Sequence, residues 1–232
     1  MRLSCALALS AAALSLGCSD GPPADAAPPP AAVRPAPVAP PPPAASKPRI
    51  VCLGDSLTAG YGLSPGQAYP ARLEARLREA GLDYEVVNAG VSGDTSAGGL
   101  RRLDWSMDGD VKVLVLALGA NDGLRGLPTS ELRDNLAAII TGAQARGARV
   151  VLAGMEAPPN FGEAYTREFR DVYRTLASTY DVTLIPFFLD GVAGVPALNQ
   201  PDGIHPTAEG QRRVADTIWQ AVAPLVGAPA ST

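Results

Sequence analysis

Short apolar runs alternate with amphipathic stretches over most of the chain. Five mainly apolar runs, each near Gly, Asp or Asn, cover residues 50–53, 84–87, 111–118, 150–152 and 182–185. Runs of this length and continuity are typical of strands buried on both faces of a sheet. The pattern therefore predicts five buried strands.

The stretches between these runs have helical periodicity. Apolar residues on one helical face recur at Leu132, Leu136, Ile139, Ile140 and Ala143. Similar patterns occupy residues 69–81 and 207–222, and the first of these two stops at a glycine, as helices commonly do. Strands that alternate with helices predict an α/β domain with a parallel sheet covered on both faces.

The N-terminal segment is typical of an export signal. Arg2 precedes an apolar run over residues 3–16, which is shorter than the roughly 17 to 25 residues that span a bilayer. The sequence that ends at Cys18 resembles a bacterial lipoprotein cleavage box, although Ser15 departs from the commonest pattern. We predict a signal peptide over residues 1–18, lipidation of Cys18 and a periplasm-facing envelope lipoprotein. An ordinary signal peptide cut nearby is the alternative.

A segment rich in Pro and Ala follows the signal. Residues 21–48 contain 12 of the 23 prolines, with 9 alanines. In extended form, residues 19–48 would reach on the order of 90 Å at about 3.1 Å per residue. We predict a linker over residues 19–48, with a proline-rich ligand for a partner module as the alternative, and one monomeric domain over residues 49–227.

Charge and metal-binding residue types exclude several classes of function. The formal net charge is −4, without a Lys/Arg cluster, so nucleic acid is not an expected partner. Three cysteines without a CxxC motif and a single histidine exclude a zinc site built on several Cys or His ligands. No GxGxxG or GxxxxGK motif supports a nucleotide-binding module. We expect neither a metal nor a cofactor.

Polar residues follow the predicted strands at the edge where open parallel sheets bind ligands. Ser56 follows the first strand, Gly93 the second and Asn121 the third, while Asp202 and His205 follow the fifth across a longer loop. Because the carboxyl ends of parallel strands share one edge, we expect these residues to lie close together.

His205 is the candidate base for this edge. A solitary histidine is more often structural, but a tight loop can bring the Asp202 carboxylate to one ring nitrogen and leave the other as a proton acceptor. Pro206 disfavours a helical conformation at His205. Ser56 is the candidate nucleophile, since serine needs a positioned base. Asp190 is a weaker candidate for the orienting acid because it lacks the short loop.

A competing serine, Ser64, lies in a sequence that satisfies GxSxG by letter. The residue after such a nucleophile should donate its backbone N–H to the oxyanion, and Pro65 has none. No apolar strand leads into this sequence either. We therefore prefer Ser56.

Donors for an oxyanion are also expected at this edge. Gly93 offers an unobstructed backbone N–H, and Asn121 offers a side-chain amide. Taken singly, a turn glycine and a strand-end cap are the simpler interpretations. Together with Ser56 and His205, they favour an oxyanion hole.

The nearby residues have simpler interpretations. Asp55 and Asp94 are interpreted as helix caps, and Cys52 as a small core residue. Leu124 and Leu127 are candidates for the wall of an acyl pocket. Arg125 is a candidate for that wall or a solvated loop residue.

Four ordered segments, GDSLTAGYGL, VVNAGVSGDTS, LGANDGLRG and DGIHP, resemble the conserved blocks of the GDSL, or SGNH, hydrolases. In sequence and spacing they are most similar to the branch of bacterial arylesterases and the thioesterase I/lysophospholipase enzymes. The resemblance implies a flavodoxin-like three-layer sandwich with a five-stranded parallel sheet in the order 2-1-3-4-5. It also implies a Ser56, Asp202 and His205 triad with an oxyanion hole made of the Ser56 N–H, Gly93 and Asn121.

The implied activity is hydrolysis of carboxylic esters or thioesters through an acyl-enzyme. The expected partner is a small-molecule or lipid ester. Two alternatives remain open at this point: a carbohydrate acetylesterase on the same scaffold, and an envelope lipoprotein without catalytic activity.

Overall fold

The computed structural model describes residues 47–228, so the predicted signal peptide, Cys18 and nearly all of the predicted linker lie outside the described residues. The boundaries predicted for the signal, linker and domain remain predictions. Among residues 47–228, no helix combines the length and apolar composition that crossing a bilayer requires.

Five parallel strands form one sheet in this part of the chain. They are β1 (Arg49–Gly54), β2 (Glu85–Gly90), β3 (Val111–Ala117), β4 (Arg149–Ala153) and β5 (Thr183–Ile185). Their order across the sheet is β2-β1-β3-β4-β5, which confirms the flavodoxin-like topology. The predicted strands differ from the observed ones only by one to three residues at their ends.

The α-helices of residues 47–228 connect these strands, except α8, which follows the last strand. They are α1 (Ser56–Ala59), α2 (Tyr69–Glu79), α3 (Ser96–Arg101), α4 (Leu103–Ser106), α5 (Ala120–Leu124), α6 (Thr129–Gln144), α7 (Glu163–Tyr180) and α8 (Ala208–Val222). The periodicity had predicted α2, α6 and α8. Helix α7, which has 18 residues, was not among the predicted elements, although Phe169, Val172, Tyr173 and Leu176 are buried on one of its faces.

The order of the strands places helices on both faces of the sheet. The chain leaves β1 in one direction through α2 and leaves β3 in the opposite direction through α6, and right-handed crossovers then put these helices on opposite faces. Helix α8 packs against α2, whereas α6 packs between α3 and α7. The sheet lies between them, and β1 and β3 are almost entirely buried.

Two glycines let α1 lie directly on the sheet edge. A Cβ on Gly90 would lie 2.2 Å from the backbone nitrogen of Ala59. A Cβ on Gly54 would lie 2.0 Å from Oγ1 of Thr58 and 2.9 Å from the carbonyl of Ala117. These contacts are too short for any side chain, so the two strand ends require glycine. The close approach fixes the position of Ser56, the first residue of α1.

Candidate active site

The three central strands end at the same level. Gly54 at the end of β1 is paired with Gly90 of β2 and with Ala117 of β3. The loops that carry Ser56, Gly93 and Asn121 therefore start side by side. These residues and His205 all line one pocket, so the structure brings together the residues predicted to meet at this edge.

A chain of two hydrogen bonds joins the serine, the histidine and the aspartate. Nε2 of His205 lies 3.0 Å from Oγ of Ser56, across 149 residues of sequence. Nδ1 of His205 lies 2.8 Å from Oδ2 of Asp202. Because Nδ1 is occupied by Asp202, Asp190 is not the carboxylate that orients the ring. The arrangement can hold a proton on Nδ1 and leave Nε2 as an acceptor toward Ser56.

The Asp202 carboxylate also organises the loop that carries the histidine. Its Oδ1 accepts the backbone N–H groups of Ile204 and His205, both at 3.0 Å. These backbone bonds and the bond to the His205 ring lower the pKa of Asp202 to about 2. The group is therefore an anionic acceptor at any pH where the protein is expected to work.

Two further contacts hold His205 that the sequence did not predict. The Tyr61 ring lies 4.6 Å from the His205 ring, centroid to centroid. The Gln200 side-chain amide donates to the carbonyls of Tyr61, at 2.7 Å, and Pro206, at 3.0 Å, while its backbone N–H donates to the carbonyl of His205 at 2.7 Å. Gln200 thus ties the histidine loop to the loop that follows Ser56.

The candidate oxyanion donors differ in how they are engaged. Within residues 47–228, the backbone N–H groups of Ser56 and Gly93 donate to no protein acceptor. In contrast, the Asn121 amide nitrogen donates to the carbonyl of Asp94 at 2.9 Å and to Oδ2 of Asp55 at 3.2 Å. The Asn121 amide is therefore fixed in place, and an oxyanion would have to share or replace one of these two bonds.

Asp55 is the cap of α1, as predicted, and also a contact of the site. Its Oδ1 accepts the backbone N–H of Leu57 at 3.0 Å, and the residue is 1% exposed. Burial raises the pKa of Asp55 to about 6, against the opposing effect of its hydrogen bonds. Asp55 is therefore a buried carboxyl group next to the serine and the Asn121 amide.

The interpretation of Asp94 as a helix cap was wrong. The cap of α3 is Thr95, whose side chain accepts the N–H of Gly98. The Asp94 carboxylate is instead paired with Arg102, with 2.7 Å between Oδ2 and Nε. A second acid near the site, Asp122, also holds another residue in place. It is buried and accepts the backbone N–H and the hydroxyl of Ser96 at 2.8 and 2.5 Å.

The pocket beside the serine is mainly apolar. It has a volume of about 400 Å³, and its walls include Leu57, Leu124, Met155, Phe187, Leu189 and Ile204. Of the candidate wall residues, Leu124 lines the pocket, whereas Leu127 and Arg125 do not. Arg125 donates to the carbonyl of Gly93 at 2.8 Å. An apolar cleft with a few polar groups at one point is the usual form of a small-molecule site.

Candidate metal ligands are not grouped in the described part of the chain. Among residues 47–228, no cluster of three or more His, Cys, Asp or Glu side chains is placed to hold a metal ion. Cys52 is buried in β1, and burial raises the pKa of its thiol to about 12, as expected for a core residue.

Comparisons with known proteins agree with this geometry. Residues 52–213 match the model of the GDSL-like lipase/acylhydrolase family. The chain is 44% identical to an esterase named TesA from Pseudomonas aeruginosa, over 78% of this chain and 91% of the relative. It is 38% identical to thioesterase 1/protease 1/lysophospholipase L1 of Escherichia coli, over 78% and 86% of the two chains. The crystal structure of AlinE4, an SGNH-hydrolase family esterase, is 46% identical with a TM-score of 0.65, over 77% and 96%.

Proposed function

The chain belongs to the GDSL-like lipase/acylhydrolase family, and from that membership and the geometry of the pocket we propose how it hydrolyses esters. The protein is an ester-hydrolysing enzyme. The observation that carries the residue assignment is the hydrogen-bonded chain from Ser56 through His205 to Asp202 at the wall of an apolar pocket. Ser56 is the nucleophile, His205 the general base and Asp202 the orienting acid.

The reaction proceeds in two halves through an acyl-enzyme. Oγ of Ser56 attacks the ester carbonyl carbon while Nε2 of His205 takes the hydroxyl proton. The C–O or C–S bond of the substrate then breaks, and His205 returns that proton to the leaving alcohol or thiol. Water repeats the sequence: His205 takes its proton, the hydroxide attacks the acyl carbon, and the carboxylic acid leaves as Ser56 regains a proton. Asp202 stabilises the imidazolium formed in each half.

The oxyanion of each tetrahedral intermediate is bound by three donors. These are the backbone N–H groups of Ser56 and Gly93 and the side-chain amide of Asn121. Each such donor contributes on the order of 3 kcal/mol in the transition state. The two backbone groups lack protein acceptors, which supports this role, and the Asn121 amide lies on the same pocket wall.

The apolar walls support acyl substrates of medium length. A volume of about 400 Å³ accommodates such a chain together with part of a leaving group. Carboxylic esters and thioesters with an aliphatic acyl group are the proposed substrates, and lipid or small esters are the proposed physiological class. The acetyl group of a carbohydrate ester would leave most of the apolar wall without a contact.

A series of nitrophenyl esters from acetate to dodecanoate tests this proposal. We expect kcat/KM to rise to a maximum at a medium chain length and then fall, since each buried methylene adds about 0.8 kcal/mol until the pocket is full. An alkyl fluorophosphonate should label Ser56, as located by peptide mass spectrometry. A label on Ser64, or acetate release from acetylated sugars without turnover of longer esters, would contradict the proposal.

We also propose that the enzyme is an exported monomer held at the cell envelope by a lipid on Cys18. The support is the sequence of residues 1–18 and the Pro/Ala-rich segment that follows. A diacylglycerol mass on Cys18 and accumulation of the precursor in cells treated with globomycin are the expected results. A soluble periplasmic product with a free N-terminus would contradict the anchor.

A further inference from the structure

Arg102 directly joins the loops that present two of the proposed oxyanion donors, Ser56 and Gly93. Its Nη2 donates to the carbonyl of Gly54, its Nη1 to the carbonyl of Ala89, and its Nε to Oδ2 of Asp94, each at 2.7 Å. The side chains of Arg102 and Asp94 are 16% and 15% exposed. A guanidinium is suited to this position because its planar, rigid fork can reach three separate acceptors.

Each acceptor lies close in sequence to a proposed donor. Gly54, the last residue of β1, lies two residues before Ser56. Ala89 lies at the end of β2, and Asp94 is the neighbour of Gly93. The Asp94 carbonyl in turn accepts the Asn121 amide at 2.9 Å. One partly buried side chain therefore braces the Ser56 and Gly93 loops directly, and the Asn121 loop through Asp94.

Arg102 does this from behind the site, since it does not line the pocket. It therefore makes no contact through which it would hold a substrate. Donors bind an oxyanion well only within a narrow range of distances, and a displacement of about 1 Å costs on the order of 100-fold in rate. Changes in loop spacing would therefore affect the transition state more than the bound ester.

We propose that Arg102 is a positioning residue of the oxyanion hole, acting through the carbonyls of Gly54 and Ala89 and through Asp94. The proposal rests on the assignment of the oxyanion donors given above. It makes Arg102 important for the rate of turnover, although it touches neither the substrate nor the catalytic triad.

Arg49 supplies a matched control at the amino end of β1, the strand whose carboxyl end Arg102 bonds at Gly54. Its guanidinium bonds the Glu85 carboxylate of β2 at 2.8 and 3.3 Å and the carbonyl of Asp108 at 3.0 Å. Like Arg102, it joins β1 to β2 and to a loop, but at the amino ends of the strands. Arg102→Lys and Arg49→Lys thus remove similar bracing at the two ends of the sheet.

The test measures kcat and KM for a nitrophenyl ester, with active sites counted by completed fluorophosphonate labelling. For Arg102→Lys we expect kcat per active site to fall between about 10-fold and 100-fold, with KM changed less than about 2-fold. The inhibition constant of an alkyl trifluoromethyl ketone, which forms an oxyanion on the serine, should rise by a similar factor. Arg49→Lys should alter thermal stability while leaving all three constants unchanged.

Two outcomes would overturn the inference. One is an Arg102→Lys enzyme with lower stability but wild-type kcat per active site and wild-type ketone affinity. The other is equal kinetic losses in the Arg102 and Arg49 variants. If Arg102→Lys does not fold, Asp94→Asn takes its place, because it weakens the bond to Arg102 and keeps the backbone carbonyl that holds Asn121. Asp94→Asn should show a smaller loss of the same kind. Wild-type kinetics in Asp94→Asn would then overturn the inference. A wild-type enzyme that is not labelled on Ser56 would instead defeat the proposed function itself.

Discussion

Two serines close together in sequence occupy entirely different environments. Ser56 is half-buried at the end of β1, with its Oγ 3.0 Å from Nε2 of His205. Ser64 is exposed, and its hydroxyl donates to Oε1 of Gln67 at 3.0 Å in a short turn. The sequence around Ser64 satisfies the GxSxG pattern, whereas that around Ser56 does not. The comparison shows that letters alone do not identify a nucleophile.

What separates the two positions is the strand that precedes Ser56. A buried parallel strand delivers Ser56 to the edge where the loops after β2, β3 and β5 also arrive. Ser64 follows a loop, and within residues 47–228 its hydroxyl is hydrogen-bonded only to Gln67 of its own turn. Reactivity here is a property of the sheet edge, and the predictions below test this difference from its largest consequence to its smallest.

The largest expected effect is on the pair formed by Ser56 and His205. Ser56→Ala and His205→Ala should each lower kcat/KM by several orders of magnitude, on the order of 10⁵-fold or more, because neither residue works without the other. For the same reason, the double variant should be little worse than either single one. The measurement is kcat/KM for one nitrophenyl ester in all four proteins. Additive losses would show that the two residues act separately.

Asp202→Asn should have the next largest effect. An amide at this position cannot hold the proton on Nδ1 as the carboxylate does, so the ring presents the wrong nitrogen to Ser56 and kcat should fall by about 10³- to 10⁴-fold. Asp190→Asn is the control, since Asp190 does not contact the His205 ring, and it should keep wild-type kcat. Equal losses in the two variants would show that the short loop is not what orients the base.

The convergence of these residues at one edge of the sheet was largely predictable from the sequence. Continuous apolar runs identified all five strands, and the parallel arrangement placed Ser56, Gly93, Asn121 and His205 at one edge before any contact was known. The resemblance supplied the order of the strands. The apolar face of α7 was present in the sequence, so that omission was a missed pattern.

Other features of the site have no sequence signal. Arg102 and Gln200 act on backbone carbonyls of distant loops, and no pattern of side chains marks a carbonyl as an acceptor. The engagement of the Asn121 amide by Asp55 depends on loop spacing for the same reason. Asp94 was misjudged because Thr95, one residue later, is the better placed cap.

The residues that precede the two serines also differ, and this predicts a difference in pH dependence. Asp55 has a native pKa of about 6, above its ordinary value of 3.8. Between these values the native protein keeps a proton that the unfolded chain has released, so this group lowers the free energy of unfolding as the pH rises through that window. The change is on the order of 3 kcal/mol and is complete above the native pKa.

Asp55→Asn should remove this contribution. Subtracting the unfolding free energies of the variant from those of the wild type, measured by urea titration at several pH values, should give a difference that declines between about pH 4 and pH 6 and is flat above. Other carboxyl groups cancel in the subtraction. If the unfolding free energies of the two proteins ran parallel across this pH range, burial would not perturb the pKa of Asp55. Leu63, which precedes Ser64, is neutral and gives no corresponding pH dependence of stability.

Ser64→Ala should have the smallest effect. It removes one exposed hydroxyl that bonds Gln67, which costs at most about 1 kcal/mol in the free energy of unfolding. The backbone N–H of residue 64 still donates to Gln67, so the turn should persist. We expect wild-type kcat/KM and complete fluorophosphonate labelling of Ser56. A large loss of activity would mean that the loop after α1 does more than connect it to α2. Pro65 cannot donate to an oxyanion, and among the described residues no imidazole is hydrogen-bonded to this serine.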